Sequence, residues 1–325
     1  MKPRLIICCF LTLYLLLIPL VFNNVLIKND KTDSTEKETT LAVETTEEIK
    51  ELSVFRESKN ETLKISTNEY IYGCVSAEIS PSFKEEAIKA QAVLCYTYTL
   101  WMIENADNTS FFSADISDND DFQSYYSKDE LEKLWGDKFE IYYEKIVNCC
   151  DEVFGEYITY KNEVILPFFH AVSPGKTESE KNIFGSNLPY LKSVSAPGDI
   201  LSPTIDSTVT LTKEQFKEKI ELSGKLTLKK DFSKWLGKIQ TEGSGYVSEI
   251  EIGGKKFDGN EIKTIFSLKS PCFSVKLKDE SFVFSVKGVG IPLGMSQYSA
   301  DYMARQGSNY KEIISHFFSG VEIKK

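Results

Sequence analysis

EISPSFKEEAIKAQAV, residues Glu78–Val93, brings a glutamate, a proline turn and the start of a helix together in one short stretch. Pro81 interrupts any strand that precedes it, because proline fixes φ and has no backbone N–H. Ser82, followed three residues later by Glu85, predicts a capping box that opens a helix. Glu78 therefore lies at a hinge between two elements, a position from which a carboxyl group can act on a substrate.

The surrounding pattern alternates helices with short strands. Residues 69–78 are predicted as a strand, 82–104 as a helix, 105–127 as a polar Asp-rich loop and 128–147 as helical. Residues 153–171 predict a hairpin that turns at Lys161 and Asn162. The helix at 82–104 is expected to bury one side, since its apolar stripe recurs at steps of four and three: Phe83, Ala87, Ala90, Leu94, Thr97 and Trp101.

Residues 200–285 differ in character, with a helix predicted at 213–222 and strands near 247–252 and 273–278. The chain is thus predicted to be α+β, with a mixed helix and antiparallel-sheet core that carries an inserted smaller α/β region. The predicted parts are a transmembrane anchor at 1–27, a flexible charged linker at 28–62, the core at 63–199, the inserted subdomain at 200–283 and the C-terminal part of the core at 284–325.

Composition limits the possible functions. The chain has 325 residues, of which 42% are apolar, so it can bury a large core without staples. Its formal net charge of −10, with no clustered Lys and Arg, argues against nucleic acid as a partner.

The N-terminus predicts a membrane segment, because Lys2 and Arg4 precede an uncharged run from Leu5 to Phe22 that is long enough to cross a bilayer. A cleaved signal peptide is the alternative, but the run lacks a small-x-small cleavage site. The positive flank places the basic end in the cytoplasm and the rest of the chain outside it. Residues 28–62, rich in Lys, Asp, Thr and Glu, are then expected to be a tether.

The exported part holds five cysteines, an odd number that does not indicate a disulfide framework. Buried thiols are the simplest interpretation. Cys149 and Cys150, with His170, leave open a zinc site or a cysteine nucleophile, although neither spacing matches a known signature. The Asp-rich loop, with Asp115, Asp118, Asp120 and Asp121, suggests calcium, but it lacks the glycine and the terminal glutamate of an EF-hand. We therefore expect no metal and no cofactor.

The C-terminal stretch GVGIPLGMSQYSADYMARQG, Gly288–Gly307, places a glycine-rich turn directly before a helix. Glycines allow positive φ and a close approach to a ligand, and Ser296 and Gln297 can donate or accept hydrogen bonds there. A second helix is predicted from Tyr310 to Phe318, with its apolar face in the core.

These motifs occur in an order that resembles the stage II sporulation protein D family, which includes the amidase-enhancer proteins. The resemblance covers about 71–199 and 284–323, through EISPSFKEEAIKAQAV, FFHAVSPGKTE, YLKSVSAPGD and GMSQYSADYMARQG. It implies a lytic transglycosylase that cleaves denuded peptidoglycan strands to 1,6-anhydro ends during forespore engulfment. It also implies work beside a membrane-bound amidase and other engulfment proteins, with the globular part on the mother-cell side of the intermembrane space.

The resemblance assigns roles to individual residues. Glu78 aligns with the glutamate of the family's Glu-Met-Pro-like motif and would be the single acid and base, if burial against Tyr70, Tyr72 and Phe83 keeps part of it protonated. The remaining candidates would bind the glycan: Glu86, which is also the reserve acid, His170, Ser173, Gly175, Thr177, Gly294, Ser296 and Gln297.

Three positions depart from the family pattern. Ile291 stands where many relatives have a histidine, and Pro292 and Pro174 stand where they have glycines. Losing a polar side chain and two permissive positions would weaken or retune substrate contact. A second hypothesis therefore stays open, namely a wall-binding scaffold that localises or enhances an amidase without cutting glycan.

Overall fold

The structure is a computed structural model that describes residues 49–105, 114–118, 123–186 and 188–325. The helices of these residues are α1 Thr67–Glu78, α2 Glu85–Asn105, α3 Lys128–Trp135, α4 Phe139–Val153, α5 Glu180–Ile183, α6 Lys213–Leu222, α7 Gly259–Phe266, α8 Gln297–Arg305 and α9 Tyr310–Phe317. The strands are β1 Glu51–Arg56, β2 Glu61–Ser66, β3 Ile116–Ser117, β4 Tyr157–Tyr160, β5 Glu163–Val164, β6 Phe169–His170, β7 Asp206–Thr212, β8 Leu236–Thr241, β9 Val247–Ile252, β10 Lys255–Phe257, β11 Phe273–Lys278, β12 Ser281–Lys287, β13 Met295–Ser296 and β14 Glu322–Lys324.

Helix α2 is the centre of the larger hydrophobic cluster and packs against α1, α4, α8 and α9. It buries far more than the predicted stripe, because Ile88, Ala92 and Val93 on its other sides are also buried. A helix that is apolar nearly all round lies inside a protein rather than on its surface. The one-sided prediction was therefore too narrow.

The stretch before Glu78 is helix α1, so the predicted strand at 69–78 was wrong. Its start is capped by Ser66, whose hydroxyl accepts the N–H of Glu69 and donates to the carboxylate of that residue. This local capping pair outweighs the strand preference of Ile71 and Val75. The sequence carried the signal as Ser-x-x-Glu.

The predicted capping box at Ser82 is also wrong. Helix α2 begins at Glu85, and the Ser82 hydroxyl instead hydrogen-bonds the Ser80 hydroxyl at 2.8 Å. The N–H of Lys84, just before the helix, donates to the carboxylate of Asp301 at 2.6 Å. A residue distant in sequence thus replaces the local cap.

Other predicted elements are confirmed. Helix α6, strand β9 and strand β11 have the predicted bounds, and β4 and β5 form the hairpin, with Lys161 and Asn162 both at positive φ in its turn. The helical region from Lys128 is two helices, α3 and α4, joined by the short 3-10 turn Gly136–Lys138.

A second hydrophobic cluster lies between Leu211 and Val286. It is formed by the sheets β11-β12-β7 and β10-β9-β8 with helices α6 and α7. Phe216 is its centre, stacked on Phe282 at 4.0 Å and on Phe266 at 4.7 Å between ring centroids.

The described residues, all of which follow residue 48, nevertheless form one compact unit. Hydrogen bonds join the two clusters, including Ser244 Oγ to Glu178 at 2.7 Å and Gly290 N–H to Lys269 O at 2.8 Å. The inserted subdomain at 200–283 therefore stays a proposal, supported by its separate cluster.

Within the described residues, regular structure begins before residue 63, the predicted start of the core. Strand β1 pairs with β2 and buries Leu52, Val54 and Phe55, an apolar set that the charged composition of the surrounding stretch concealed. The predicted membrane segment lies outside the described residues. Within those residues, no helix combines the length and the apolar character that crossing a membrane requires.

We expect Phe216→Ala to lower the free energy of unfolding by about 3–5 kcal/mol, because it leaves a cavity among stacked rings. Equilibrium denaturation in guanidinium chloride measures the change. Leu222→Ala is the matched control, since this residue on the same helix is 71% exposed and should change stability by less than about 0.5 kcal/mol. Equal effects of the two substitutions would contradict the assignment of Phe216 as the centre of this cluster.

Candidate functional site

Glu78 is the last residue of helix α1, and its side chain is half-buried. One carboxylate oxygen accepts the backbone N–H of Ser124 at 3.0 Å. Its main-chain carbonyl accepts the side-chain amide of Gln297 at 2.9 Å. The carboxyl group is thus oriented through both its side chain and its backbone, and it remains accessible to solvent.

The segment that carries Ser124 reaches Glu78 by passing tightly over Gly73. A Cβ atom at Gly73 would overlap the ring of Tyr125 and the carbonyl of Tyr126, and the N–H of Tyr126 bonds the carbonyl of Gly73 at 3.4 Å. Only glycine leaves room for this approach. A residue in the middle of α1 therefore determines how a donor reaches the carboxyl group.

The three aromatic residues that were expected to form an apolar wall beside Glu78 have other partners in the structure. Tyr70 lies eight residues before Glu78 on α1, about 12 Å away by helix rise, and stacks on Tyr125. Tyr72 points its hydroxyl to Asp151. Phe83 remains close in sequence and makes an edge contact with Tyr298, with ring centroids 6.2 Å apart.

The Gly294–Gln297 segment forms the base of the site. Gly294 has φ +69°, and a Cβ there would overlap the carbonyl of Phe168. This close approach lets β13 pair in parallel with β6, so that Ser296 lies opposite His170. Helix α8 starts at the next residue, and Gln297 then reaches both Glu78 and the side chain of Gln91, at 3.2 Å.

Beneath this segment lies a fully buried carboxylate, Asp199, which sequence analysis did not assign a role. Ser173 donates to it through its N–H at 2.7 Å and its hydroxyl at 2.5 Å. The hydroxyls of Ser296 and Ser299 donate to the other oxygen at 2.6 and 2.9 Å. Four hydrogen bonds from neutral groups compensate the loss of water around the charge.

His170 is buried beside this cluster. Its Nδ1 lies 3.1 Å from the carbonyl of Leu293, which can only accept, so we assign the proton to Nδ1. Burial lowers the pKa of His170, and the nearby Asp199 carboxylate opposes that shift. The ring is therefore neutral at pH 7, and its Nδ1–H donates to a main-chain carbonyl of the protein.

The predicted glycan-binding residues are not all brought to one cleft. Ser173, Thr177, Ser296 and His170 are buried and bind protein groups, and the hydroxyl of Thr177 faces the carbonyls of Lys192 and Val194. Gly175 adopts positive φ and donates its N–H to the hydroxyl of Ser173.

The other acidic candidate, Glu86, is also occupied by protein groups. It accepts hydrogen bonds from Lys89 at 2.9 Å and from the N–H of Tyr310 at 2.8 Å. Of the predicted set, Gln297 is the residue that the described hydrogen bonds connect to Glu78.

The three departures from the family pattern lie around His170. Ile291 packs against the larger cluster, and the carbonyl of Pro292 accepts the N–H of Glu178 at 2.6 Å. Pro174 lies between Ser173 and Gly175, two residues tied to the buried network. These three residues therefore contribute to the packing and hydrogen bonding that surround the site, and Gln297 itself matches the family pattern.

The five cysteines of the described residues are buried and free: Cys74, Cys95, Cys149, Cys150 and Cys272. Burial raises the pKa of Cys149 to about 11 and that of Cys272 to about 12, which keeps both thiols protonated. A cysteine nucleophile needs the opposite shift.

The described residues contain no cluster of His, Cys, Asp and Glu suited to a metal ion. Two carboxylates of the Asp-rich loop already bind protein groups, since Asp115 accepts from Ser53 and Asp118 from Arg56. The other two aspartates considered for calcium, Asp120 and Asp121, lie outside the described residues.

Comparisons with known proteins agree with the resemblance. A family model described as "Stage II sporulation protein" matches residues 56–160. Stage II sporulation protein D of Bacillus subtilis (strain 168) is 33% identical over 276 residues, which are 84% of this chain and 79% of that protein. The chain belongs to the stage II sporulation protein D family. The Bacillus amyloliquefaciens member is 34% identical over 300 residues, 91% of this chain and 85% of that protein.

A more distant relative of this chain, from Bacillus subtilis (strain 168), is named amidase enhancer. It is 24% identical over 310 residues, which cover 77% of this chain but 40% of that longer protein.

We expect Asp199→Asn to destabilise the protein by about 2 kcal/mol, because an amide keeps only one acceptor oxygen. Either the Ser173 donors or the Ser296 and Ser299 hydroxyls then face an NH2 group instead of an acceptor. Chemical denaturation measures the change. Asp206→Asn is the matched control, because Asp206 is 71% exposed in a surface ion pair worth less than about 1 kcal/mol. A loss for Asp199→Asn no larger than that of the control would contradict the structural role of the network.

His170 should make stability depend on pH. Its folded-state pKa lies below the ordinary value of 6.5, so below pH 6.5 the unfolded chain takes up a proton that the folded protein excludes. The contribution of His170 to the free energy of unfolding is complete above pH 6.5 and decreases as the pH falls below that value. Thermal midpoints between pH 7.5 and pH 5 should fall less steeply for His170→Gln than for the wild type. His316→Gln, measured in parallel, separates the contribution of the only other histidine.

Proposed function

We propose that this protein is a lytic transglycosylase that cleaves denuded peptidoglycan strands during sporulation, with Glu78 as its single acid and base. The observation that carries the proposal is the Glu78 carboxyl group, half-buried and oriented from two sides within the stretch 56–160 that the family model matches. The identity of this chain to family members named for sporulation supports the biological setting.

The chemistry needs one carboxyl group in two protonation states. Protonated Glu78 donates its proton to the glycosidic oxygen as the bond from that oxygen to C1 of the muramyl sugar breaks. The leaving sugar departs with a new hydroxyl group. The Glu78 carboxylate then removes the proton of the muramyl C6 hydroxyl while O6 bonds to C1. A 1,6-anhydro ring forms, the carboxyl group is protonated again, and no water is consumed.

Glu78 lies at the C-terminal end of helix α1, and its carboxylate accepts the Ser124 N–H. The proposed reaction requires this group to give up a proton and to take one back within one turnover. Glycoside hydrolases that use water or a covalent intermediate need a second carboxylate for those steps.

We further propose that residues 1–27 anchor the chain in the cell membrane, with residues 28–48 leading to a globular part outside the cytoplasm. Its partners would be glycan strands, a membrane-bound amidase and other engulfment proteins. The charge of −10 and the absence of a basic patch in the sequence are consistent with this set.

The second candidate is a scaffold that binds glycan and enhances an amidase without cutting. Two points favour it: Ile291, Pro292 and Pro174 depart from the family pattern that the sequence resembles, and one distant relative is named amidase enhancer. Under this hypothesis the carboxyl group of Glu78 has no chemical role.

The test uses the full chain in detergent micelles with amidase-stripped glycan, and mass spectrometry detects anhydro ends. Glu78→Gln should lower the rate at least about 100-fold and leave co-sedimentation with glycan intact. Glu85→Gln is the control, because it removes a carboxylate from the same segment at the exposed first turn of α2. Product from wild type and from Glu78→Gln alike would exclude Glu78 as the acid. Binding without product in both would leave the scaffold.

A further inference from the structure

The loop that follows Glu78, Ile79–Lys84, joins α1 to α2 and is here called the Glu78 loop. It turns at Ser80–Phe83, where the N–H of Phe83 bonds the carbonyl of Ser80 at 3.0 Å with Pro81 between them. A pocket of about 410 Å³ opens beside the loop, lined in part by Phe83 and Arg305. Ile79 and Phe83 pack against the larger hydrophobic cluster, and hydrogen bonds hold the backbone between and after them.

Lys145, from helix α4, holds the middle of the loop. Its Nζ donates to the carbonyl of Pro81 at 2.9 Å and to the carbonyl of Phe83 at 2.5 Å. Both of these acceptors are main-chain carbonyls, so the charge of Lys145 is directed at the backbone of the loop. A charged donor makes stronger hydrogen bonds than a neutral one.

Asp301, from helix α8, holds the end of the loop. One of its carboxylate oxygens accepts the N–H of Lys84 at 2.6 Å, and the other binds Nε of Arg305 at 2.7 Å. The carboxylate is 8% exposed. Gln297, Asp301 and Arg305 are spaced four residues apart and therefore share one face of α8. Gln297 on this face binds the carbonyl of Glu78 itself.

We propose that Lys145 and Asp301 are positioning residues of the reaction. With Gln297 they hold the backbone of the Glu78 loop at its start, middle and end, and so set the direction of the carboxyl group relative to the scissile bond. The inference rests on the proposed transglycosylase function. The hydrogen bonds of both residues go to the backbone of the loop, so each acts through the loop. A displacement of about 1 Å at a reacting group can cost about 100-fold in rate.

The experiment compares Lys145→Met and Asp301→Ala with the wild-type full chain. Initial rates over a range of stripped-glycan concentrations give kcat and KM, and amide hydrogen exchange is followed at residues 79–86. We expect kcat to fall about 10- to 100-fold, KM to change less than about twofold, and exchange to accelerate in the Glu78 loop. Loss of folding alone would instead accelerate exchange throughout the chain.

Conservative variants separate positioning from charge. Asp301→Asn keeps an oxygen that accepts the Lys84 N–H, and Lys145→Arg keeps a charged donor, so both should retain most of the wild-type kcat. Lys133→Met is the control for removing a lysine, because Lys133 is exposed on the neighbouring helix α3. It should leave both readouts unchanged.

The outcomes distinguish the two levels of the argument. Unchanged exchange at residues 79–86, or a change in KM alone, would overturn the positioning role even if wild type is active. If wild type yields no anhydro product, the proposed function fails, and exchange at the loop alone decides whether Lys145 and Asp301 hold it.

Discussion

The parallel pairing of β13 with β6 is the contact on which the rest of the site depends. It exists because Gly294, at positive φ, lets the chain pass directly over the carbonyl of Phe168. This pairing carries Ser296 to the buried Asp199 and starts helix α8 at a defined place. Everything that α8 contributes to Glu78 follows from that starting point.

Charge is handled differently at the two carboxyl groups of the site. Asp199 is fully buried among hydroxyls and one backbone N–H, so its hydrogen bonds rather than a counter-cation compensate desolvation. Glu78 is half-buried, and its carboxylate accepts the N–H of Ser124. The first environment rigidifies the frame, and the second leaves a group that can exchange a proton with a substrate. Motif residues such as Ser173 thus stabilise the buried network around Asp199 and are not part of an exposed binding surface.

Much of the fold could be predicted from local pattern. Helix α6, strands β9 and β11 and the hairpin at Lys161 follow from capping residues, alternation and turn chemistry, which act within a few residues. Helix α1 was missed because its β-branched and aromatic residues suggest a strand, while the Ser66 cap that decides the outcome lies before them. At the start of helix α2 the local signal was misleading, because the carboxylate of Asp301, distant in sequence, binds there in place of the predicted Ser82 cap.

The sequence by itself determined the family, the α+β class and Glu78 as the candidate acid, because order of motifs and periodicity are properties of the chain. Only the tertiary structure decided which side chains hold that acid. Ser124, Lys145 and Asp301 lie 46, 64 and 217 residues from their partners in sequence. Contacts over such separations depend on how helices pack around α2, and no local pattern encodes that arrangement. The same packing explains why Asp199, although it ends the motif YLKSVSAPGD, received no role from the sequence.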